Sequence, residues 1–150
     1  RQLLDRGINM ALGRESIALH KTKVGSCEGS QFVRLKVDTI GVDAYKLMET
    51  AGVVEAYVLT DDEKFVGKLT LYDAVRASDE PILQFIDHHP FSLCESDSLN
   101  HAMNKITDFV GESIPIISGE TGVLKTVLTE GNIFQAVLDI QDTIRKIEKD

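Results

Sequence analysis

The chain of 150 residues is 43% apolar and 27% charged, a composition that excludes a disordered protein and suits one compact domain or two small halves that share a core. Its net charge of −8 argues against a nucleic-acid partner, because nucleic-acid binding needs clustered cations that displace counterions. Two cysteines, Cys27 and Cys94, form no CxxC pair, which indicates a reduced, cytosolic compartment.

Residues 1–30 are predicted to form a connector that lies along a surface rather than in a core. Gly7 and Gly13 interrupt any helix in this segment, which mixes basic and apolar residues. No apolar run in the chain approaches the roughly 20 residues that a membrane helix requires. Because the chain begins at Arg1 rather than Met, we expect it to be a piece of a longer protein.

Residues 31–78 are predicted to form the first of two similar halves. Residues 32–37 alternate between apolar and polar side chains, which is typical of a strand. Residues 39–51 place Ala44 and Met48 on one apolar face of a helix. The remaining elements of this half are predicted as a strand at 55–60, a charged turn at 61–64, a strand at 65–70 and a helix at 72–77.

Residues 79–90 are predicted to link the halves, and residues 91–150 repeat the order strand, helix, strand, strand, helix. The repeated elements are predicted as a strand at 91–94, a helix at 99–110, strands at 113–118 and 123–129, and a long final helix. The apolar seam of that helix has heptad-like spacing, and we expect it to cover the core of the domain or to meet a partner chain. The seam consists of Ile133, Val137, Ile140, Ile144 and Ile147.

The two halves are related by a nearly constant offset in the sequence. VGKLTLYDA in the first half has a partial copy, LKTVLTEGNI, in the second. Thr70 and Thr129 lie 59 residues apart (129 − 70 = 59), and Asp73 and Asn132 repeat that offset (132 − 73 = 59). A unit of about 50 residues is too small to bury a good core alone. We therefore predict an α+β fold in which the sheets of two units pack through a pseudo-twofold axis.

The repeated unit resembles the CBS domain, and the pair resembles a Bateman module. AYKLM and EAYVLTDDEKFVGKLTLYDA carry the resemblance in the first half, and SLNHAMNKI and ESIPIISGETGVLKTVLTEGNI carry it in the second. The resemblance covers residues 32–138. It implies two βαββα repeats, one at 31–78 and one at 91–150, the second with a C-terminal helix extension.

The stretch QLLDRGINMALGRE, at residues 2–15, resembles the segment by which bacterial chloride channels and chloride–proton antiporters leave their last membrane helix. In that family a CBS pair follows in the cytosol. The resemblance implies a regulatory module on the cytoplasmic side of an integral membrane protein, with the membrane transport domain in the same chain. Other parents stay open, such as a magnesium-efflux protein, a nucleotide-metabolic enzyme or a stand-alone CBS protein.

CBS pairs of this type bind adenosine compounds, so the resemblance implies AMP, ADP or ATP as a ligand in the crevice between the repeats. A carboxylate at the start of a helix accepts the ribose hydroxyls there, supported by the helix N-terminus. A Thr three residues earlier contacts the ribose or phosphate, and the two residues before it flank the adenine. The first half has all of these positions in Lys68, Leu69, Thr70 and Asp73. The competing interpretation of Asp73 is a simple helix N-cap.

The second half carries Thr129 and Asn132 at the corresponding positions. Asn132 caps a helix as well as an acid does, but it lacks the charge that strengthens a ribose clamp. We therefore expect the second site to be weak or empty. The resemblance also places wall residues at Thr39 and Val54 in the first half and at Asp97 and Glu112 in the second. The last two are acids that disfavour a phosphate.

Several basic residues are candidates for binding a phosphate, although each is more ordinarily a solvated surface residue: Lys36, Lys64, Lys68, Lys125 and Arg76. No motif assembles a nucleophile, a base and an oxyanion donor, and the four histidines lack partners at ligand spacing. We expect neither an enzyme nor a metal site.

Three functions compete at this stage: a nucleotide-sensing regulatory module, a ligand-free structural module that dimerises, and a regulatory domain of a soluble enzyme. A homodimer is expected in the first two, and its candidate surfaces are the seam at 133–147 and the apolar turn at 82–86.

Overall fold

The two halves of the chain fold with the same order of elements: strand, helix, strand, strand, helix. A computed structural model describes residues 13–149. The strands are β1 (Arg34–Lys36), β2 (Glu55–Leu59), β3 (Phe65–Thr70), β4 (Leu93–Cys94), β5 (Ile114–Ile117) and β6 (Leu124–Leu128). The helices are α1 (Arg14–Lys21), α2 (Gly41–Ala51), α3 (Leu71–Ala77), α4 (Leu99–Lys105) and α5 (Glu130–Lys149). This architecture confirms the predicted α+β class.

Each half contains a three-stranded sheet with the same pairing. The first strand pairs in parallel with the second, and the second pairs antiparallel with the third, in β1–β2–β3 and again in β4–β5–β6. Parallel neighbours need a crossover connection, which α2 and α4 supply. The middle strands even share an irregularity in register, between Val58 and Leu59 in β2 and between Ile116 and Ile117 in β5. The two halves are therefore copies of one structural unit.

A pair of backbone hydrogen bonds locates the pseudo-twofold axis that relates the halves. The Phe65 N–H donates to the Gly122 carbonyl at 2.9 Å, and the Leu124 N–H donates to the Glu63 carbonyl at 3.0 Å. The offset of 59 residues converts each bond into the other, so the axis passes between the β2–β3 turn and the β5–β6 turn. The predicted pseudo-twofold packing through the sheets is thus present in the fold.

A buried cluster lies where the two sheets meet. Tyr57 and Leu59 from the first half pack against Leu124 and Val127 from the second, and all four side chains are less than 7% exposed. Two larger apolar cores flank this cluster, one within each half. Burial of this apolar surface couples the halves, because neither small sheet could cover its inner face alone.

The segment before β1 is part of the second half's core, which makes the predicted surface connector wrong for residues 13–30. Leu19 of α1 and Val24 are at most 2% exposed and pack with the core of the second half. The Val24 N–H donates to the Asp97 carbonyl at 2.8 Å, just as the Ile82 N–H donates to the Thr39 carbonyl at 2.9 Å. The segment that precedes each sheet therefore docks on the opposite half.

The two surfaces expected to form a dimer contact are largely internal. Ile82 and Ile86 are at most 8% exposed in the core of the first half, so the apolar turn at 82–86 is not an outer surface. On α5, Ile133 and Val137 are buried in the core of the second half, whereas Ile147 is 52% exposed. The early part of the seam thus covers the module's own core, and only its end reaches solvent.

Candidate functional site

Thr70 and Asp73 form a capping arrangement where β3 passes into α3. The Thr70 hydroxyl accepts the backbone N–H of Asp73 at 3.1 Å and lies 3.1 Å from Asp73 Oδ2, to which it donates. Asp73 Oδ1 accepts a hydrogen bond from Arg76 Nη1 at 2.9 Å. The Asp73 side chain keeps 27% of its surface exposed. Because exposed ion pairs of this kind are weak, a ligand hydroxyl can compete for this carboxylate.

Thr129 and Asn132 form the corresponding arrangement where β6 passes into α5. The Thr129 hydroxyl accepts the Asn132 N–H at 3.0 Å, and Asn132 Oδ1 accepts the Thr129 N–H at 2.9 Å. The two bonds satisfy each other's backbone donors, as in a capping box. Asn132 Oδ1 also accepts the Ser30 hydroxyl at 2.9 Å. The amide thus joins the start of α5 to the segment that precedes β1.

Lys68, one of the predicted ligand residues, is buried in an ion pair with Glu55. Lys68 Nζ lies 2.8 Å from Glu55 Oε1, and both side chains are about nine-tenths buried. The ammonium also donates to the Ser113 carbonyl at 2.9 Å and lies 5.5 Å from the centre of the Phe109 ring. Lys68 therefore connects two strands of the first half to the second half, and its charge is already neutralised.

Glu55 occupies a set of hydrogen-bond donors that belongs to the second half. Its Oε1 atom accepts the backbone N–H groups of Glu112 at 3.1 Å and Ser113 at 3.0 Å, and the Ser113 hydroxyl lies 3.3 Å away. The Ser113 hydroxyl is also 2.6 Å from the Tyr57 hydroxyl. Within residues 13–149, no buried side-chain nitrogen or oxygen lacks a hydrogen-bond partner. The network between the halves is therefore fully satisfied, as a buried polar cluster must be.

The Tyr57 phenol lies at the centre of this network and is fully buried. Burial raises its pKa well above the usual value, and the hydrogen bond with Ser113 opposes that shift in part. The carboxylates of Glu55 and Glu112 raise the pKa further. Tyr57 is therefore a neutral hydrogen-bonding group at physiological pH, and both acids lie close enough to affect it.

A cavity of about 180 Å³ opens beside Thr129, between the two halves. The start of the first half, the beginnings of both middle strands and the end of β6 all contribute to its wall. The lining residues are Ser30, Gln31, Phe32, Val53, Glu55, Glu112, Ser113, Val127 and Thr129. A planar ring could pack against Phe32, Val53 and Val127, with polar groups directed to Thr129. The crevice that the sequence predicted as weak or empty thus has an open cavity.

The other predicted site residues take different positions around the crevice. Thr39 is in a turn, where its N–H donates to the Lys36 carbonyl at 3.1 Å. Val54 is 50% exposed, and its carbonyl accepts the Leu71 N–H at 2.9 Å. Leu69 is fully buried in the core of the first half, on the opposite face of β3 from Lys68. The role of these residues in ligand binding stays a prediction.

Sequence reasoning missed Glu55 and Ser113, which hold the floor of the crevice. They occupy the same position in the two halves, 58 residues apart (113 − 55 = 58), at the start of the middle strands. The available signal was an acid next to a buried strand, paired in register with the strand that carries Lys68. Attention to the neighbouring positions, Val54 and Glu112, passed over it.

No protein-family model matches the chain, and no curated protein matches it. Solved structures do share its fold. CBSX2, a CBS-pair protein from Arabidopsis thaliana, matches in its complex with AMP with a TM-score of 0.67 and 21% identity, over 80% of this chain and 98% of that chain. CbpB in complex with c-di-AMP matches with a TM-score of 0.72 and 14% identity, over 97% of this chain and 99% of that chain.

A third structure extends the comparison to a membrane protein. The cytosolic domain of the Mg²⁺ channel MgtE, in complex with ATP, matches with a TM-score of 0.67 and 14% identity, over 81% of this chain and 52% of that chain. Together with the paired sheets and the pseudo-twofold axis, these likenesses show that the chain has the fold of a CBS-domain pair.

Proposed function

We propose that this chain is a regulatory module that binds an adenosine compound in the crevice between its two halves. The observation that carries the proposal is the cavity beside Thr129, whose wall comes from both halves. A ligand held there contacts both halves at once, so it stabilises one relative arrangement of them over others. Such differential binding is what lets a ligand change the state of a protein to which the module is attached.

The ligands of proteins with the same fold support this proposal. CBSX2, CbpB and the MgtE domain were solved in complex with AMP, c-di-AMP and ATP, respectively, and each of these contains adenosine. In this chain, Thr129 and Asn132 lie where a ribose would be held in the second half, and Thr70 and Asp73 lie at the equivalent place in the first. AMP, ADP and ATP are therefore the first compounds to test.

We further propose that the parent protein is a chloride channel or chloride–proton antiporter, with the module on the cytoplasmic side of the membrane. This part rests on the resemblance of residues 2–15, of which the structure describes only 13–15. Among the helices described at 13–149, none combines the length and the apolar character needed to cross a bilayer. Sequencing the gene upstream of this segment tests the proposal, which requires a series of long apolar helices in the same reading frame.

The proposal includes a homodimer, and the outer helix face of the first half is its best-supported surface. Leu47 on α2 and Val75 on α3 are both more than half exposed. A groove of about 310 Å³ runs between these helices, lined by Val42, Tyr45, Ala74, Val75 and Ser78. Solution sizing of the chain and of Val75→Glu tests this surface, because a buried charge would dissociate a dimer that forms there.

Calorimetric titration with AMP, ADP and ATP tests ligand binding directly. Two variants, Asp73→Ala and Asn132→Ala, remove the ribose-facing side chain in the first and second halves, and Asp61→Ala in the exposed β2–β3 turn is the matched control. We expect one of the two site variants to weaken binding by about 1.5–3 kcal/mol, the scale of a charged hydrogen bond. Unchanged affinity in both variants would place the ligand outside the crevice.

A ligand-free structural module is the second candidate function, and the buried ion pair favours it. Lys68 and Glu55 fill the interior of the first-half crevice and satisfy each other there. A thermal-shift measurement separates the two functions, because a ligand at 100 times its Kd stabilises a protein by about 2.7 kcal/mol. The absence of any shift with millimolar adenosine compounds would support the structural function.

A further inference from the structure

The cavity beside Thr129 is unusually poor in groups that could bind a phosphate. Of the nine described residues in its wall, none is basic, and two, Glu55 and Glu112, are acidic. Binding sites for phosphates ordinarily supply lysine, arginine or free backbone N–H groups. The charge of this wall therefore bears on which adenosine compound the proposed site accepts.

The donors that could serve a phosphate in this wall are already in use. The backbone N–H groups of Glu112 and Ser113 both point at Glu55 Oε1, at 3.1 and 3.0 Å. Lys68, the nearest buried cation, is paired with the same oxygen at 2.8 Å. The Glu55 carboxylate thus takes the place that an anionic group of a ligand would need. Displacing it would leave a charge buried without a partner, which is strongly unfavourable.

Glu112 adds a second carboxylate on the open side of the cavity. Its residue is exposed and carries its charge in the cavity wall. A phosphate with one or two negative charges would approach this carboxylate across a short distance, in a partly desolvated crevice where repulsion is stronger than in water. An uncharged nucleoside meets no such penalty, and its hydroxyls can donate to a carboxylate.

We propose that the crevice beside Thr129 selects uncharged adenosine over its phosphorylated forms, because Glu55 occupies the anion-binding donors and Glu112 repels a phosphate. This inference rests on the proposed function, since it names which adenosine compound the crevice binds. It predicts an affinity order of adenosine, AMP, ADP and ATP, from the tightest to the weakest.

Calorimetric titration of the full chain with each of these four compounds tests the inference. We expect adenosine to bind at least tenfold more tightly than AMP, with a further loss for each added phosphate. Glu112→Gln removes the charge on an exposed residue, so the fold should be retained. In this variant we expect the ratio of adenosine to AMP affinity to fall by at least threefold. Glu120→Gln, in the β5–β6 turn, is the control and should keep the original ratio.

The possible outcomes separate this inference from the proposed function. AMP or ATP binding as tightly as adenosine overturns the inference and leaves the proposed function standing. Selection for adenosine that Glu112→Gln does not change also overturns it, because the selection would then arise elsewhere. No binding of any of the four compounds at millimolar concentration overturns the inference and the proposed function together. Only the expected order, narrowed in Glu112→Gln and kept in Glu120→Gln, supports it.

Discussion

Lys68 in the first half donates a hydrogen bond to the backbone carbonyl of Ser113 in the second half, at 2.9 Å. The same ammonium is paired with Glu55, whose carboxylate accepts the Ser113 N–H. One lysine and one glutamate therefore bind both the donor and the acceptor of a single peptide unit across the interface. A network of this kind fixes the relative position of the halves, because any sliding would leave buried charges unsatisfied.

Removing the lysine charge should destabilise the fold strongly. In Lys68→Met the buried Glu55 carboxylate loses its counter-charge, and we expect a loss of about 3–5 kcal/mol in the free energy of unfolding. The double variant Glu55→Gln/Lys68→Met should recover part of this loss, because it removes the unpaired charge. Urea denaturation of the wild type and the three variants measures these values in one cycle.

An exposed lysine provides the control for that experiment. Lys125 lies 4.0 Å from Glu95, and both side chains are more than one-third exposed. Lys125→Met should therefore cost less than about 1 kcal/mol. If Lys68→Met proved no more costly than Lys125→Met, the buried pair would not hold the halves together.

Tyr57 should make the protein less stable at alkaline pH. Burial keeps the phenol protonated in the folded state, whereas in the unfolded chain it ionises near pH 10. Above that pH the folded state binds the extra proton, so the free energy of unfolding should fall by about 1.4 kcal/mol per pH unit from this group. Tyr57→Phe should remove this contribution, which denaturant titrations between pH 9 and 11 would measure as a shallower slope.

Tyr72→Phe is the matched control for the alkaline slope. Tyr72 is 72% exposed on α3, so its substitution should retain the steeper slope of the wild type. Equal slopes in Tyr57→Phe and the wild type would show that the phenol ionises without disturbing the fold. The network around Ser113 would then be more open to water than its geometry indicates.

The two threonine caps should contribute similar amounts to stability. The hydroxyls of Thr70 and Thr129 each accept the N–H of the residue three positions on, at 3.1 and 3.0 Å. Replacing either with alanine should cost about 1 kcal/mol of unfolding free energy, as urea titration would show. Replacement with serine keeps the hydroxyl and should cost less. A serine variant as unstable as its alanine counterpart would mean that the methyl group, rather than the cap, accounts for the loss.

The repeat was predictable because its signals are local. Strand alternation, apolar helix faces and turn residues depend on neighbours in sequence, and the offset of 59 residues aligned Thr70 with Thr129. Gly52 was expected to end the first long helix, and it does so with a φ of 70°. The class of fold and the position of the caps followed from such signals alone.

The crevice was less predictable because it depends on contacts between distant segments. Glu55 and Lys68 are ordinary charged residues in the sequence, and only the meeting of the halves buries them. Leu19 and Val24 were assigned to a surface connector because glycines flank them, yet they complete a core 70 or more residues away in the chain. Local patterns carry no information about which surface such a segment will cover.

Close packing between the halves exchanges small and large residues across the pseudo-twofold axis. In the first half Gly67 lies against the Ile86 side chain, and in the second half Thr126 lies against Gly29. A Cβ on Gly29 would contact Thr126 Oγ1 and come within 2.6 Å of the Val127 carbonyl oxygen. The glycine is thus moved from one partner to the other, and the space between the partners is kept.

Gly29→Ala should therefore destabilise the protein by about 1–3 kcal/mol, as overpacking of a close contact does. Thr126→Gly should rescue only part of this loss, because the Val127 carbonyl belongs to the backbone and cannot be removed. Gly131→Ala is the matched control: its nearest neighbour would be Thr129 Oγ1 at 3.6 Å, and alanine favours a helix. Thermal unfolding of the four variants gives the comparison. Equal stability of Gly29→Ala and Gly131→Ala would contradict the close approach of the halves at this point.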